Sequence, residues 1–302
     1  MKLTTNDLFK EIANANSGYD LICPEGETLK RYQQVVLSIT RDVIEVAEEE
    51  HVRYHITGGS ALGAVRHQGF IPWDDDMDID MLGEDFDRFI TAFRRKYGDK
   101  YWIHTCDSKN YGGVASKIRL KGTVSRGRED MHTDECGISI DIFRIENVPN
   151  NPVIRRIHGT ICLGMGYLLS CRNFYRNRDF LMKIAPSKEA RKLFRMKIRI
   201  GRLLAWRSAD RWAQRTQAWY SMCRNNHSRY VSVPSGRNHY FGEIYKREDF
   251  VETTTAEFEG NRWPVPKAID AYLTHMYGDY RKIPPEDKRE KHMLFELRFP
   301  DD

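Results

Sequence analysis

Hydrophobic residues recur at helical spacing in two stretches of the chain, and a β-prone, acidic segment lies between them. Residues 28–50 and 84–97 place apolar side chains three or four positions apart, which predicts an amphipathic helix in each. Residues 53–57 are β-prone and end at a Gly-Gly turn. Residues 77–81 alternate apolar and acidic side chains, and this period of two predicts a strand.

Further elements complete the predicted sheet. Ser60 is a suitable N-cap for a short helix over 61–67. Later β-prone runs predict strands at 101–105, 114–120 and 138–145. Helices and strands that follow one another in this order predict an α/β (α+β) fold, with a mixed sheet flanked by helices over roughly 28–148.

The charge distribution divides the rest of the chain. The net charge is +5. Residues 151–229 hold 18 Lys and Arg against 3 Asp and Glu, a balance of +15, whereas the remainder holds 30 against 40, a balance of −10. We therefore expect a catalytic core over 1–149, a basic and mostly helical region over 150–238, and a C-terminal segment over 239–302 that completes the catalytic domain.

The composition points to a soluble cytoplasmic protein. The sequence is 40% hydrophobic and 30% charged, with no signal-peptide pattern and no apolar run long enough to span a membrane. The six cysteines are scattered and form no CxxC pair, which argues against a zinc ribbon or a disulfide framework. The basic block indicates an anionic partner, and we expect a peripheral contact with anionic lipid on the inner face of the plasma membrane as one use for it.

Five aspartates between positions 74 and 80 form the most informative motif. Asp76 and Asp78 lie on one face of the predicted strand, about 7 Å apart, so both can approach the same ion. Hard carboxylate ligands suit Mg²⁺ or Mn²⁺, which also hold substrate phosphates. The alternative is a solvated acidic turn, and the alternation with apolar residues argues against it. Asp74 and Asp75 fit a role in shaping the turn.

Two further features fit a nucleotide-handling site. Gly58, Gly59 and Ser60 form a turn whose backbone could approach phosphate oxygens, although an ordinary tight turn would have the same sequence. Asp141 lies among β-branched and aromatic residues, where an unpaired charge is costly. It is either a third metal carboxylate or a buried aspartate paired with a basic side chain. A Gly-Gly-Ser turn followed by an Asp-x-Asp strand and a later carboxylate is the layout of nucleotidyltransferases.

The motifs resemble those of the LicD family, which includes bacterial phosphocholine transferases and has the fukutin-related proteins as relatives. The long match is GGSALGAVRHQGFIPWDDDMD at 58–78. Shorter matches are IDIF at 140–143 followed by Val148-Pro149, and PVP at 264–266 with the YGDY at 277–280 and Pro284-Pro285. The resemblance spans most of 52–292 and is weakest in the basic region.

The resemblance implies a nucleotidyltransferase-type fold and transfer of a substituted phosphate from a CDP-linked donor, such as CDP-choline, to a sugar hydroxyl of a glycan or lipid-linked oligosaccharide. It places the metal and catalytic carboxylates on Asp76, Asp78 and Asp141. Two departures concern the pocket beside the metal. Asp80 stands where a small or apolar residue is expected, and Arg144 replaces a familiar proline.

Phosphate contacts are expected from the Gly58-Gly59-Ser60 turn, from Arg66 through a bidentate guanidinium, and from Lys117 on a predicted strand. Arg66 could equally be a surface residue of its helix, and His67 has a structural role in this interpretation.

Two other functions remain open from the sequence. One is a nucleotidyltransferase that uses the same carboxylates with an NTP and releases pyrophosphate. The other is a nucleic-acid-binding module built on the basic block. No helix-turn-helix, zinc or RRM signature supports it, so we expect no nucleic-acid partner.

Overall fold

The computed structural model describes residues 21–185, 187–286, 289 and 292–300. Its helices are α1 (Gly26–Glu49), α2 (Gly58–His67), α3 (Gly83–Tyr97), α4 (Pro152–Arg176), α5 (Arg178–Ile184), α6 (Lys188–Leu203), α7 (Ala209–Tyr220), α8 (His239–Gly242), α9 (Arg247–Phe250) and α10 (Ile269–Tyr277). Its strands are β1 (Tyr54–Ile56), β2 (Asp78–Leu82), β3 (Tyr101–His104), β4 (Ser116–Leu120), β5 (Val124–Arg126), β6 (Ser139–Val148), β7 (Tyr230–Ser232), β8 (Ile244–Lys246), β9 (Thr253–Phe258), β10 (Asn261–Pro266) and β11 (Glu296–Arg298).

Within the described residues, the main sheet has seven strands and is mixed. Five of them lie in the order β1-β2-β6-β4-β3, and β7 joins the far half of β6 and carries β8 on its other side. The β2–β6 pair is parallel and the other pairs are antiparallel. Helices flank this sheet, so the predicted α/β fold class is confirmed.

The two faces of β2 and β6 have different chemistry because side chains alternate along a strand. Ile79 and Met81 of β2 and Ile142 of β6 are fully buried in the main hydrophobic core. The apolar sides of α1 and α3 close this core from the same face of the sheet, with Val36, Ile39, Val43, Phe89 and Phe93 fully buried. The aspartates of the two strands consequently point to the opposite face.

A second core forms on the acidic side of the sheet. It joins Leu62 of α2 and Ile145 of β6 to residues of the C-terminal segment, including Phe250, Tyr272 and Leu273. The C-terminal segment also returns to the beginning of the chain, because β11 pairs with β5 and Leu294 forms a β-bridge with Ile22. Residues far apart in sequence therefore meet around the acidic face.

The basic region is mostly helical, as predicted. Helix α4 packs along α6 and α7, and apolar side chains such as Phe174 and Phe194 are buried between these helices. Strand β7 lies within the predicted 150–238 region and yet belongs to the main sheet. The division of the chain into three segments stays a prediction. Among the described helices, none has the length and apolar character that crossing a membrane requires.

One local prediction is wrong. Helix α2 begins at Gly58, with Thr57 as its N-cap, so Ser60 lies inside the helix and does not cap it. The Thr57 carbonyl accepts the first helical hydrogen bond, from the Ala61 N–H at 2.9 Å, and two further bonds hold the backbone at this start. The Thr57 N–H donates to the Asp78 carbonyl (3.1 Å), and the Gly58 N–H donates to the Tyr272 hydroxyl (2.9 Å).

Candidate active site

The parallel pairing of β2 with β6 brings two of the predicted carboxylates together. Asp78 and Asp141 are register partners, and the Asp141 N–H donates to the Met77 carbonyl at 3.0 Å. Neighbouring residues in adjacent strands point to the same face, so both carboxylates lie on the acidic side of the sheet. Lys117 is the register partner of Asp141 on β4, and its ammonium lies 2.9 Å from the Asp141 carboxylate. Asp141 is therefore paired with a lysine in the described structure.

The glycine turn is pressed against the aspartates. Gly58 has φ +55°, and a Cβ added there would collide with the Asp78 carboxylate. A Cβ on Gly59 would lie 2.7 Å from Oδ2 of Asp74. The Asp78 N–H donates to Oγ of Ser60 at 2.9 Å, so this hydroxyl fixes the strand beside the turn. These residues therefore pack against the aspartates, and the phosphate contact expected of them stays a prediction.

Asp74, Asp76 and His292 form a group that could hold a metal ion. One ligand atom from each lies within 4.8 Å of the others. Nδ1 of His292 is 2.6 Å from Oδ1 of Asp75, and its Nε2 is 3.9 Å from Oδ2 of Asp76. Oδ1 of Asp76 is buried, and no described residue hydrogen-bonds to it. An unsatisfied buried carboxylate oxygen fits a site built for a cation.

The aspartates of the cluster raise one another's pKa, as expected of a site whose negative charge a cation would neutralise. Burial raises the pKa of Asp78 well above its usual range, and the charges of Asp76 and Asp141 raise it further. Burial also raises the pKa of Asp76. The hydrogen bond that His292 donates to Asp75 raises the pKa of His292 well above its usual range, so a protonated His292 offsets part of the negative charge. Burial lowers the pKa of Lys117, but the charge of Asp141 outweighs this and raises it overall.

A cleft of about 510 Å³ opens over the acidic face. Five of the predicted site residues line it: Gly58, Gly59, Arg66, Asp76 and Asp78. The other three, Ser60, Lys117 and Asp141, are not part of its lining.

Arg66 borders the cleft but is occupied by contacts within the protein. Its Nη1 donates to the Tyr280 carbonyl at 2.9 Å, and its Nε donates to His67 at 2.9 Å. The His67 ring also lies edge-on to Trp73, at 6.4 Å between ring centroids. Arg66 thus ties α2 to the C-terminal segment, His67 contacts Arg66 and Trp73, and a bidentate phosphate contact by Arg66 stays a prediction.

The cleft has two acidic ends. We call Asp74, Asp76, Asp78 and His292 the aspartate end. Two residues further along β2, Asp80 faces the same cleft, together with Phe143 of β6 and with Glu243 and Tyr272 from the C-terminal segment. We call Asp80, Phe143, Glu243 and Tyr272 the Glu243 end.

Several site residues were not found from sequence. His292, Glu243 and Tyr272 are single residues without a motif of their own, and only folding brings them to the cleft. Asp74, expected to shape the turn, lies in the cleft instead. Its place in a run of five carboxylates was a signal that could have included it.

This chain is similar in sequence to known proteins. Residues 51–151 match the family model "LicD/FKTN/FKRP, nucleotidyltransferase domain". Over 291 residues the chain is 26% identical to the lipopolysaccharide cholinephosphotransferase LicD of Haemophilus influenzae, covering 89% of this chain and 97% of that protein. Over 111 residues it is 51% identical to the ribitol 5-phosphate transferase FKRP of Mus musculus, covering 37% of this chain and 17% of that protein.

The matched 51–151 region contains α2, β2 and β6, and hence the glycine turn and all three predicted metal carboxylates. Residues 51–151 therefore match a LicD-type nucleotidyltransferase domain, and the family resemblance of the motifs is confirmed.

Proposed function

We propose that this protein is a metal-dependent phosphotransferase. It moves a substituted phosphate, such as phosphocholine, from a CDP-linked donor to a sugar hydroxyl of a cell-surface glycan or of its lipid-linked precursor. The two named relatives transfer cholinephosphate and ribitol 5-phosphate, respectively, which supports transfer of a substituted phosphate by this chain. The observation that carries the proposal is the aspartate end, where partly buried carboxylates at the start of β2 open into a cleft large enough for a nucleotide-linked donor.

The residues present fit Mg²⁺ or Mn²⁺. Asp74, Asp76 and His292 provide one set of converging ligand atoms, and Asp78 with Asp141 lies directly beside them. A divalent ion held there would supply positive charge that stabilises the donor diphosphate and the CMP leaving group. The group offers carboxylate oxygens and a single imidazole, and a set rich in oxygen ligands favours Mg²⁺ or Mn²⁺ over softer metals.

The protein's own groups have distinct tasks in this proposal. Asp76 and Asp78 hold the ion, and Ser60 and the two glycines keep these carboxylates in place. Asp141, beside Lys117, completes a second metal position or accepts the proton of the acceptor hydroxyl. Trp73, Phe143 and Tyr277 form aromatic walls of the cleft and limit the access of water to the donor.

A product assay separates this function from a nucleotidyltransferase reaction. The protein is incubated with Mg²⁺ and either CDP-choline or CTP. Transfer of a substituted phosphate releases CMP from CDP-choline and no pyrophosphate from CTP. Pyrophosphate from CTP, without CMP from any CDP-linked donor, would support the nucleotidyltransferase instead.

A cytoplasmic location with a peripheral position at the membrane is part of the same proposal. Helix α6 exposes Arg191, Arg195, Arg199 and Arg202 along one side, and Leu203 and Trp206 beyond them are 78% and 64% exposed. Basic side chains next to exposed apolar ones are typical of interfacial binding to anionic lipid. Flotation with liposomes of phosphatidylcholine, with and without phosphatidylglycerol, tests this contact. Binding to neither composition would exclude it.

A further inference from the structure

The Glu243 end of the cleft contains a carboxylate that the metal site does not require. Asp80 lies two residues beyond Asp78 on β2, with His55 of β1 and Phe143 of β6 as its register partners. It is 3% exposed, and its Oδ1 accepts a hydrogen bond from the Thr57 hydroxyl at 3.0 Å. No lysine, arginine or histidine of the described residues forms an ion pair with it.

A second buried carboxylate reaches the same end from a distant part of the chain. Glu243 lies between α8 and β8 and is 4% exposed. Its Oε1 accepts a hydrogen bond from the Asn238 N–H at 2.7 Å, and the backbone of Gly236 packs against the carboxylate. Arg237 also borders the cleft, but within the described ranges Glu243 forms no ion pair. In each carboxylate, one oxygen accepts a hydrogen bond from the protein and both residues face the cleft.

Aromatic side chains surround these carboxylates. Phe143 and Tyr272 line the cleft at this end, and the Tyr272 ring packs at 5.5 Å from Tyr245. Buried carboxylates are costly unless a positive charge compensates them. Aromatic faces combined with carboxylates in a cleft are the environment that binds organic ammonium groups, because the ring faces carry negative charge density.

We propose that Asp80 and Glu243 form a subsite for an ammonium head group on the transferred phosphate. The inference rests on the proposed function and selects an aminoalcohol phosphate over a neutral polyol phosphate. Two residues along a strand span about 7 Å, short enough for a two-carbon linker to join a phosphate at the aspartate end to an ammonium at the Glu243 end. A polyol would offer hydroxyl groups only and would bring no positive charge to either carboxylate.

The test compares two ligands of the same shape, with and without the charge. Phosphocholine and 3,3-dimethylbutyl phosphate differ in the replacement of nitrogen by carbon, so their affinities isolate the positive charge. In isothermal titration calorimetry with Mg²⁺ present, we expect the protein to bind phosphocholine at least about tenfold more tightly than 3,3-dimethylbutyl phosphate. Asp80→Asn and Glu243→Gln should each reduce this ratio toward one and leave the affinity of the neutral ligand unchanged.

Glu146→Gln is the matched control. Glu146 is a buried carboxylate of β6 that bonds to Gln217 and Ser221 away from the cleft, so its removal should leave the ratio unchanged. Equal binding of both ligands by the unmodified protein would overturn the subsite. So would an unchanged ratio in both cleft variants, or a loss of Mn²⁺ binding in Asp80→Asn that leaves the ratio intact. CMP release from any CDP-linked donor in those cases would show that the proposed function survives without the subsite.

Discussion

The aspartate end and the Glu243 end of the cleft share one strand, yet their negative charges are met in different ways. At the aspartate end, His292 lies 3.9 Å from Asp76 and pairs with the adjacent Asp75, and beside this end Lys117 pairs with Asp141. At the Glu243 end, none of the described ion pairs involves Asp80 or Glu243. A carboxylate site that exchanges metal and phosphate needs basic side chains of the protein to offset its negative charge when no ligand is bound. A site that receives its cation with the substrate needs no such side chains. The difference indicates that carboxylates with basic partners in the protein belong to the metal site, whereas buried carboxylates without such partners face the ligand.

The largest effect is expected from the aspartates that hold the ion. Asp76→Asn or Asp78→Asn removes one ligand charge, and loss of several kcal/mol of transition-state stabilisation lowers turnover by about 10³-fold or more. CMP release under saturating Mg²⁺ measures this. Asp87→Asn on the exposed side of α3 is the control and should retain activity. Near-normal turnover in either cluster variant would remove the assignment of the aspartate end.

The second-largest effect is expected from substitution of Gly58, which should lower the free energy of unfolding. Gly58→Ala places a methyl group against the Asp78 carboxylate in a residue with positive φ, and we expect a loss of about 3 kcal/mol. Gly122 also has positive φ (+80°) but has open space around it, so Gly122→Ala reports the backbone strain alone. Urea unfolding of both variants separates the two costs. Equal destabilisation would mean that the close approach to Asp78 is unimportant.

The buried carboxylate of Glu243 should make the free energy of unfolding of the ligand-free protein depend on pH. Burial raises the pKa of Glu243 from 4.5 to about 7, so between these values the folded protein binds more protons than the unfolded chain. Stability therefore decreases as pH rises through this window and is lowest above about pH 7.

Glu243→Gln removes this penalty. Relative to the unmodified protein, the free energy of unfolding of the variant should therefore be about 2 kcal/mol higher at pH 8 than at pH 5, as measured by urea unfolding. Asp80, Arg237 and Tyr245 stay in place in this variant and contribute equally to both proteins. A difference that does not change with pH would show that Glu243 is ionised throughout.

The smallest effect concerns the histidine at the aspartate end. His292→Ala removes the partner of Asp75 and one potential ligand, and we expect Mn²⁺ affinity to fall by about tenfold. Electron paramagnetic resonance titration of Mn²⁺ measures the affinity directly. His227→Ala, in an exposed loop, serves as the control. Unchanged affinity in His292→Ala would leave the metal to the aspartates alone.

The sheet and its acidic face could be predicted because they depend on local patterns. The alternation over 77–81 placed Asp78 opposite the apolar face, and β-branched residues around Asp141 indicated a strand. The family motif then connected these two strands. Their direct pairing follows from parallel register, which the alternation alone does not set.

The other side of the cleft could not be predicted because it depends on contacts between distant residues. Gly58 meets Tyr272 across 214 positions, and Asp75 meets His292 across 217. Strands such as β5 and β11 have three residues each, too few for a periodic pattern. The role of Ser60 was missed for a related reason. A serine before a short helix is a common N-cap, and only the Asp78 N–H beside it changes the interpretation.

Release of CMP from CDP-choline, followed by ³¹P nuclear magnetic resonance with Mg²⁺ and then with excess EDTA, tests the central claim most directly. We predict CMP and a phosphocholine product in Mg²⁺, none after chelation, and recovery when Mg²⁺ is restored. CMP release that continues unchanged in EDTA, or that persists in Asp76→Asn, would contradict a metal-dependent transfer at the aspartate end.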